Sequence, residues 1–325
     1  MRIHVHLDPA QSRRQLTPAI WDDAVARAPD AGTDHEVSFG CTSDELAMAL
    51  PHVELLVTTG SLPRPLPAEA PRLRFIFCTF AGVESLLPAD WLPDGVVVLN
   101  NSGAHEAKAG EYAIMCILML ANRVPAYTAD QRARRWDRQL GTVLGGRRLT
   151  VVGLGGLGSG AVRRARQFDM HITGVRSRPN AHEACDRVVG TNEFDAVLTG
   201  TEFLLLACPL TDATRHILDR RRIALLPRGA FVVNIGRGDL VEQDALCDAL
   251  DGGQLGGAVL DVVTPEPPPP DHRLWTTPNL LLTPHISCDD YRNYLPNSMD
   301  VLMSNLRALR KAYKPPNQVD LKRGY

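Results

Sequence analysis

The chain has 325 residues, 44% of them apolar and 22% charged, with a formal net charge of −2 at pH 7. This composition is typical of a globular protein of about two domains, and the near-neutral charge argues against general affinity for nucleic acid. The apolar runs fall short of the roughly 20 residues that a membrane helix needs, and residues 1–7 lack the apolar core of a signal peptide. We therefore expect a cytoplasmic protein whose partners include neither a membrane nor nucleic acid.

The cysteines are scattered, and none has the CxxC spacing of a zinc site. We expect reduced, mostly buried thiols, and we predict neither a disulfide framework nor a bound metal. The seven residues are Cys41, Cys78, Cys116, Cys185, Cys208, Cys247 and Cys288.

The first hundred residues alternate between strand-like and helix-like stretches, which predicts a small α/β domain with a parallel sheet. Ser43 is the predicted N-cap of the second helix, and Pro51 follows that helix as a stop signal. The predicted strands are residues 2–7, 36–39, 53–57, 73–78 and 96–100, and the predicted helices are residues 18–28 and 43–50.

A long helix is predicted at residues 107–122, and its centre, residues 114–120, is apolar on all sides. Such a helix must be covered, either between two domains or between two subunits. The polar stretch at residues 131–136 is either a surface loop or an arm that reaches a neighbouring subunit.

A glycine-rich turn, GLGGLG at residues 153–158, separates an apolar run from a helix-like stretch, and the strand-like segment His171–Val175 follows it. Gly153 permits the tight turn, Gly155 lets the backbone approach a pyrophosphate, and Gly158 allows the helix to pack closely on the strand. The first N–H groups of the helix would bind phosphate. The stretch therefore predicts a dinucleotide-binding βαβ unit, and the alternative is a βαβ turn without a ligand.

Four later apolar runs have the length of strands and lack polar alternation, which is typical of parallel strands covered on both faces. They are residues 202–207, 230–235, 257–262 and 279–283, and helices are predicted at residues 219–226, 242–251 and 296–311.

Arg237, Glu266 and His285 each follow one of these apolar runs. Because parallel strands end at the same edge of a sheet, the three side chains would face the crevice where the glycine turn places a cofactor. A guanidinium binds a carboxylate through two hydrogen bonds, and an imidazole oriented by a carboxylate exchanges protons near neutral pH. The set suits hydride transfer between a nicotinamide and C2 of a 2-oxo or 2-hydroxy acid. Singly, each could be a surface ion-pair arginine, an exposed acid or a turn-capping histidine.

Further motifs accompany these residues: Cys208-Pro-Leu-Thr211 with Thr214, Asn234-Ile-Gly-Arg-Gly238, Leu260-Asp-Val262 and Thr283-Pro-His-Ile286. In this order and spacing, and with the glycine turn, they resemble the D-isomer-specific 2-hydroxyacid dehydrogenases over nearly the whole chain. Gly110-Glu111 and residues 319–325 are similar to the glyoxylate/hydroxypyruvate reductase side of that family.

The resemblance implies an α/β fold in which a Rossmann-type, doubly wound parallel sheet is inserted in a smaller, flavodoxin-like substrate domain. The nucleotide domain would be residues 100–287, and the discontinuous substrate domain residues 1–99 and 288–325. It also implies that Arg237 and the backbone amides of Ala81 and Gly82 hold the substrate carboxylate. His285 would contact the substrate as the acid/base, with Glu266 as its partner. Members of the family usually pair as homodimers through the nucleotide domain, where the long helix could serve.

The residues expected to bind the cofactor lie in the glycine turn and after the following strands. Asp261 would contact the nicotinamide carboxamide. The complete set is Gly153, Gly155, Gly156, Leu157, Gly158, Arg176, Ser177, Arg178, Cys208, Pro209, Thr214, Ile235, Gly236 and Asp261.

The segment Arg176-Ser177-Arg178 departs from the NAD-binding pattern. NAD-binding units place an acid about twenty residues after the glycines, where it binds the ribose 2′-hydroxyl. Here the position carries two guanidinium groups and a hydroxyl, which would attract a 2′-phosphate. The sequence therefore predicts a preference for NADP(H), with NAD(H) as a possible cofactor, and the alternative for this segment is a solvated loop.

The predicted reaction is the reduction of a small 2-oxo acid of the glyoxylate or hydroxypyruvate type. Asp289 and Asp290 make the segment after His285 more acidic than expected, which leaves the substrate open. One alternative is a dehydrogenase of another 2-hydroxy acid. Another is a nucleotide-sensing corepressor or scaffold of the same fold, which would need an exposed apolar peptide cleft in the N-terminal domain.

Overall fold

The computed structural model describes residues 1–10 and 15–324, and the chain divides into two compact units. The first unit consists of Met1–Ala104 and Asp290–Tyr325, and the second of His105–Asp289. The domain boundaries expected from the sequence, after residues 99 and 287, differ from these by a few residues.

The first unit contains a five-stranded parallel sheet in the order β2-β1-β3-β4-β5. This is the strand order of flavodoxin-like folds, and the predicted parallel α/β domain is confirmed. Apolar side chains cover both faces of the sheet, because successive strand residues point to opposite sides: Phe77 packs in one core cluster and Ile76 in the other. The strands are β1 (Arg2–His6), β2 (Glu36–Gly40), β3 (Leu55–Thr58), β4 (Phe75–Cys78) and β5 (Val97–Leu99).

Four helices cover this sheet, and side-chain N-caps mark the starts of two of them, Thr17 for α1 and Thr42 for α3. The N-cap of α3 lies one residue earlier than expected, so the predicted N-cap Ser43 is wrong. Thr42 is the N-cap: its hydroxyl accepts the Glu45 amide, and the Glu45 carboxylate accepts the Thr42 amide. The Glu45 carboxylate also accepts the Cys41 amide at 2.9 Å, and this bond together with those from Thr42 lowers the pKa of Glu45 to about 2. The helices are α1 (Pro18–Arg27), α2 (Pro29–Gly32), α3 (Ser43–Ala49) and the C-terminal helix Tyr294–Arg310.

The second unit contains a seven-stranded parallel sheet in the order β12-β11-β10-β9-β6-β7-β8. The chain order reverses between β9 and β6, so the carboxyl ends of these strands flank the crevice where doubly wound sheets bind ligands. Six of the strands confirm the predicted apolar runs, whereas the short edge strand β8 was not predicted. The strands are β6 (Arg148–Val152), β7 (His171–Val175), β8 (Arg187–Val189), β9 (Phe203–Leu206), β10 (Ala230–Asn234), β11 (Leu255–Leu260) and β12 (Leu280–Leu282).

Helices α4 and α6 pack against each other through glycines. A Cβ atom on Gly160 would lie 2.1 Å from the carbonyl oxygen of Glu106, and one on Gly110 would lie 2.5 Å from the carbonyl oxygen of Gly160. Only glycine permits this approach. The helices of the unit are α4 (Glu106–Ala121), α5 (Val124–Arg132), α6 (Gly156–Arg166), α7 (Phe194–Leu198), α8 (Arg220–Leu225) and α9 (Gln243–Asp251).

The predicted long helix is confirmed as α4, but the second unit covers only part of its apolar surface. Tyr112 and Ile117 are buried, whereas Met115 is 42% exposed. Helix α5 was not predicted; it follows Arg123, whose positive φ of 58° breaks the path of α4. Trp136, beyond α5, is fully exposed. Among the described residues, no helix has the length and apolar character to span a membrane.

Candidate active site

The glycine turn joins β6 to α6 and places each glycine in a different environment. Gly153 has a φ of +92°, and a Cβ atom there would lie 2.7 Å from the Cα of Cys208. A Cβ atom on Gly158 would lie 1.9 Å from the Gly153 carbonyl oxygen, so both positions require glycine. Gly155 is exposed, and a Cβ atom on it would meet nothing within 4 Å.

The start of α6 fits the phosphates of a dinucleotide. Gly155 is the N-cap and provides no side-chain cap, and Gly156 and Leu157 begin the helix with partly exposed residues. Uncapped amides at a helix start attract anions. The open space at Gly155 lies beside these amides, so the residues present fit a pyrophosphate without any side chain in the way.

Arg176, Ser177 and Arg178 follow β7, the strand next to β6 in the sheet. Arg176 is half-buried and its amide donates to the Val189 carbonyl at 3.1 Å, while Ser177 and Arg178 are exposed. His182, which was not predicted, lies in the same loop with its Nε2 3.2 Å from the Ser159 hydroxyl. Burial lowers the pKa of His182, the guanidiniums of Arg163 and Arg176 lower it further, and the Glu183 carboxylate opposes this shift. Through His182, the loop that carries Arg176 and Arg178 contacts Ser159 on α6.

The loops after β9 and β10 hold the next group of expected cofactor residues. Cys208 is buried, which raises the pKa of its thiol to about 12, so it is an inert packing residue beside Gly153. The Thr214 hydroxyl donates to the Pro209 carbonyl at 2.7 Å and fixes that loop. Ile235 and Gly236 are buried at the end of β10.

Arg237 lies directly after β10 in a turn that Asn234 holds. The Asn234 side chain accepts the Gly236 amide at 3.1 Å and donates to the Arg237 carbonyl at 2.8 Å. Arg237 is half-buried, and its Nη1 donates to the Gly236 carbonyl at 2.7 Å. In the segment that follows His285, burial raises the pKa of the Cys288 thiol to about 11, which the Ser287 side chain and the Arg237 guanidinium oppose.

His285 and Glu266 come together after β12 and β11, which are neighbours in the sheet. The Nδ1 atom of His285 lies 2.7 Å from Oε1 of Glu266, and the two side chains are 44% and 41% exposed. With Nδ1 bonded to a carboxylate, Nε2 is the ring nitrogen that can exchange a proton with a ligand. β10 lies beside β11, so Arg237, Glu266 and His285 follow three adjacent strands.

Contacts outside the predicted set hold together the loops that carry Arg237 and Glu266. A Cβ atom on Gly238 would lie 2.2 Å from the carbonyl carbon of Val263, so the loops that carry Arg237 and Glu266 touch through their backbones. The Gln243 side chain accepts the Thr264 amide at 2.9 Å and donates to the Thr264 carbonyl at 2.6 Å. Thr264 also donates to the carboxylate of Asp239 and lowers its pKa. Sequence reasoning missed Gln243, because its only signal is its place at the start of a helix.

Ala81 and Gly82 belong to the first unit, in the loop after β4. The Asn100 side chain donates to the Ala81 carbonyl at 3.0 Å, and those of Asn101 and Tyr294 donate to the Thr79 carbonyl at 2.8 Å and 3.0 Å. Within the described residues, the amides of Ala81 and Gly82 donate no hydrogen bond. The loop is therefore fixed through its carbonyl groups.

The two parallel sheets, the glycine turn and the polar residues at adjacent strand ends define an α/β protein of the dinucleotide-binding class. The model of the D-isomer specific 2-hydroxyacid dehydrogenase NAD binding domain matches residues 114–287. The chain therefore belongs to the D-isomer specific 2-hydroxyacid dehydrogenase family, which confirms the family and the fold predicted from the sequence.

Relatives of known name agree with this assignment. A glyoxylate/hydroxypyruvate reductase of Arabidopsis thaliana is 30% identical over 258 residues, which are 78% of each chain. A D-3-phosphoglycerate dehydrogenase of Methanocaldococcus jannaschii is 32% identical over 275 residues, which are 83% of this chain and 52% of that one. The chain thus spans about half the length of this second relative.

Two solved structures match nearly end to end. A D-isomer specific 2-hydroxyacid dehydrogenase from Xanthobacter autotrophicus, in complex with NADPH and MES, has a TM-score of 0.84 with 27% identity, over 99% of both chains. An NADPH-dependent glyoxylate/hydroxypyruvate reductase from Sinorhizobium meliloti, in complex with NADP and sulfate, has a TM-score of 0.81 with 25% identity, over 100% of this chain and 99% of that one.

Proposed function

We propose that the protein transfers a hydride between NADP(H) and C2 of a small 2-oxo or 2-hydroxy acid of the glyoxylate or hydroxypyruvate type. The observation that carries this proposal is the 2.7 Å contact between His285 Nδ1 and Glu266 Oε1. It forms a hydrogen-bonded acid/base pair at the carboxyl ends of β11 and β12, on the same edge of the sheet as the dinucleotide crevice. The relatives named as glyoxylate/hydroxypyruvate reductases support the substrate class.

In the direction of reduction, His285 gives a proton from Nε2 to the substrate oxygen as the carbonyl at C2 becomes an alcohol. Glu266 accepts the Nδ1 proton in a hydrogen bond, which fixes the ring and favours its charged form while the proton is held. A nicotinamide cofactor, when bound at the glycine turn, would supply the hydride. Arg237 binds the substrate carboxylate through two parallel hydrogen bonds and orients the reacting carbon. For Ala81 and Gly82, contact with the carboxylate stays a prediction.

The preference for NADP(H) is supported by the loop after β7. Arg176 and Arg178 offer two guanidiniums for a 2′-phosphate, and their segment has no carboxylate to repel it. The Xanthobacter and Sinorhizobium structures contain NADPH and NADP.

We expect the variant with Arg176→Ala and Arg178→Ala to raise KM for NADPH at least about tenfold and to change KM for NADH little. Arg228→Ala is the matched control, because this exposed arginine precedes β10 and so lies at the amino-terminal ends of the strands, away from the loops that would bind the cofactor. A higher kcat/KM for NADH than for NADPH in the wild type would contradict the preference.

A homodimer that pairs through the second unit is the proposed assembly. The exposed face of α4 and the segment beyond α5 carry apolar side chains that an isolated chain would leave in water: Met115, Trp136, Leu140 and Val143 are 42%, 101%, 78% and 77% exposed. Leu140→Asp with Val143→Asp should give a monomer in sedimentation experiments, with Met48→Asp in the first unit as the control.

The free cysteines support the predicted cytoplasmic location.

The test of the reaction is NADPH oxidation against a panel of 2-oxo acids that includes glyoxylate, hydroxypyruvate, pyruvate and 3-phosphohydroxypyruvate. We expect turnover of glyoxylate or hydroxypyruvate, with kcat lowered about 10²- to 10⁴-fold by His285→Ala. Arg237→Ala should mainly raise KM for the acid. Preference for the phosphorylated acid would favour the phosphoglycerate dehydrogenase relatives instead. Tight NADPH binding without turnover of any acid would favour a nucleotide-sensing protein.

A further inference from the structure

Asp261 holds the loop that carries His285. It follows β11 and is 1% exposed, so its carboxylate has to be satisfied inside the protein. Its Oδ1 accepts the Ile286 amide at 2.8 Å and the Thr283 hydroxyl at 2.7 Å. Its Oδ2 accepts the Ser287 amide at 2.8 Å, and its backbone carbonyl accepts the His285 amide at 2.9 Å. One residue thus binds three consecutive amides, those of residues 285–287.

These bonds matter because His285 has an unusual backbone conformation. Its φ is +54°, in the left-handed region that residues with a Cβ atom rarely adopt. Such a conformation persists where the surrounding contacts determine it. In this conformation Nδ1 lies 2.7 Å from Glu266 Oε1. The bonds to Asp261 therefore fix the direction in which the imidazole projects.

Thr283 and Tyr112 extend this anchor into α4. The Thr283 hydroxyl has one hydrogen, which it donates to Asp261, so the Tyr112 hydroxyl must be the donor in its bond to Thr283. Tyr112 is 2% exposed, and burial raises its pKa, which keeps this hydroxyl protonated and able to donate. The chain Tyr112–Thr283–Asp261 therefore links the buried face of α4 to the amides around His285.

We propose that Asp261, Thr283 and Tyr112 are positioning residues that hold His285 in its proton-transferring orientation. The kinetic consequence rests on the proposed function. Asp261 accepts the hydrogen bonds from the amides of residues 285–287. Thr283 donates to the same carboxylate and orients it, and Tyr112 fixes Thr283 to α4. None of the three needs to touch the substrate to act in this way.

The kinetic test uses Thr283→Val, which keeps the shape of the side chain and removes its hydroxyl. We expect kcat to fall about 10- to 100-fold, because a small displacement of a proton-transferring group costs this much. KM for NADPH and for the 2-oxo acid should change less than about threefold. Thr283→Ser should restore kcat, since it returns the hydroxyl. Thr201→Val is the matched control. Thr201 is 1% exposed and donates to the Val197 carbonyl at 2.9 Å, and it precedes β9, at the amino-terminal ends of the strands and away from His285.

A double-mutant cycle separates positioning from loss of stability. In the His285→Ala background, Thr283→Val should lower kcat no further, because the group it positions is absent. A loss of equal size in both backgrounds, or a wild-type kcat in Thr283→Val, would overturn the proposal.

Hydrogen exchange tests the anchor without any turnover, and so separates this proposal from the proposed reaction. Asp261→Asn replaces one acceptor oxygen by an NH₂ group, which cannot accept an amide hydrogen. The amide that faces the new NH₂ group, either that of Ile286 or that of Ser287, should then exchange at least about tenfold faster than in the wild type. Tyr112→Phe should speed the exchange of both amides to a smaller degree. Unchanged exchange of these amides in Asp261→Asn would overturn the proposal, whether or not the protein reduces any 2-oxo acid.

Discussion

The side-chain amide of Gln243 hydrogen-bonds both backbone groups of Thr264, at 2.9 Å and 2.6 Å, as a neighbouring strand would. Gln243 is the first residue of α9, and Thr264 lies two residues before Glu266. The helix thus holds the backbone from which the partner of His285 projects. Since none of the described strands pairs with this loop at Thr264, the side chain takes the place of a sheet partner.

Replacing Gln243 with alanine should therefore loosen the Glu266 loop and lower turnover. We expect Gln243→Ala to reduce kcat about 3- to 10-fold and the free energy of unfolding by about 1 kcal/mol, because two exposed hydrogen bonds are lost. KM for NADPH should stay unchanged.

Gln254→Ala is the matched control for steady-state kinetics and urea unfolding. Gln254 donates to the Leu226 carbonyl at 2.8 Å and lies before β11, away from the site. An equal fall of kcat in both variants would show that the Gln243 contact does not act on Glu266.

The charge of Glu266 should matter more than its hydrogen bond alone. Glu266→Gln keeps an oxygen that can accept from His285 Nδ1 and removes the negative charge that favours the imidazolium. We expect kcat to fall about 10- to 100-fold, with KM for the 2-oxo acid little changed, since Arg237 binds the carboxylate.

Stopped-flow measurement of NADPH oxidation checks this prediction. Glu69→Gln, an exposed acid in the first unit, provides the control for removal of one charge. Turnover of Glu266→Gln at the wild-type rate would mean that His285 needs no carboxylate partner.

Much of this arrangement can be read from the sequence because parallel strands bring their ends to one edge. The apolar runs at β9, β10 and β11 are buried on both faces, so composition alone reveals them, and the residues that follow them must be near each other. The glycine turn is equally readable, since Gly153 and Gly158 have backbone surroundings that exclude any Cβ atom.

The features missed from the sequence depend on contacts between distant residues. Strand β8 has three residues, too few to give a pattern, and the short helix α7 has five. The roles of Gln243 and Tyr112 arise from partners 21 and 171 positions away, and neither residue type indicates such a partner. The cap of α3 is a local exception: Thr42 and Ser43 are both good N-caps, but Thr42 with Glu45 three residues later has the sequence pattern of a capping box, which the prediction of Ser43 overlooked.

Alanine substitutions at two glycines of α6 and its turn should have different effects, one on the free energy of unfolding and the other on NADPH binding. Gly160→Ala places a Cβ atom 2.1 Å from the Glu106 carbonyl, a backbone atom that can yield only if α4 and α6 move apart. We expect it to lower the free energy of unfolding by about 1–3 kcal/mol. Gly155→Ala meets no protein atom within 4 Å, and its φ of −78° suits alanine.

Gly155→Ala should therefore change the free energy of unfolding by less than about 0.5 kcal/mol and weaken NADPH binding at least about tenfold, because its methyl group occupies the approach to the pyrophosphate. Urea unfolding and NADPH fluorescence titration measure the two effects on each variant. Wild-type NADPH affinity in Gly155→Ala would contradict the assignment of this turn.

The first unit should lose stability in mild acid, because His4 and His6 are buried together on β1. They are 2% and 7% exposed, and their ring centroids are 6.3 Å apart. Burial lowers both pKa values from the ordinary 6.5, and the charge of His6 lowers that of His4 further. The carboxylate of Glu45 on α3 opposes the shift at both rings, and that of Asp8 opposes it at His6.

Below about pH 6.5 the unfolded chain therefore binds protons more readily than the folded unit, and the free energy of unfolding falls as the pH decreases. The loss should end once the pH passes below the lowered pKa values, where both states are protonated. Urea unfolding at pH 7.5, 6.5 and 5.5 measures this slope, and His4→Gln with His6→Gln should reduce it. His35, whose pKa burial also lowers, stays in that variant and accounts for a smaller remaining slope. An equal slope in the wild type and the variant would show that the pair does not govern the acid sensitivity of the unit.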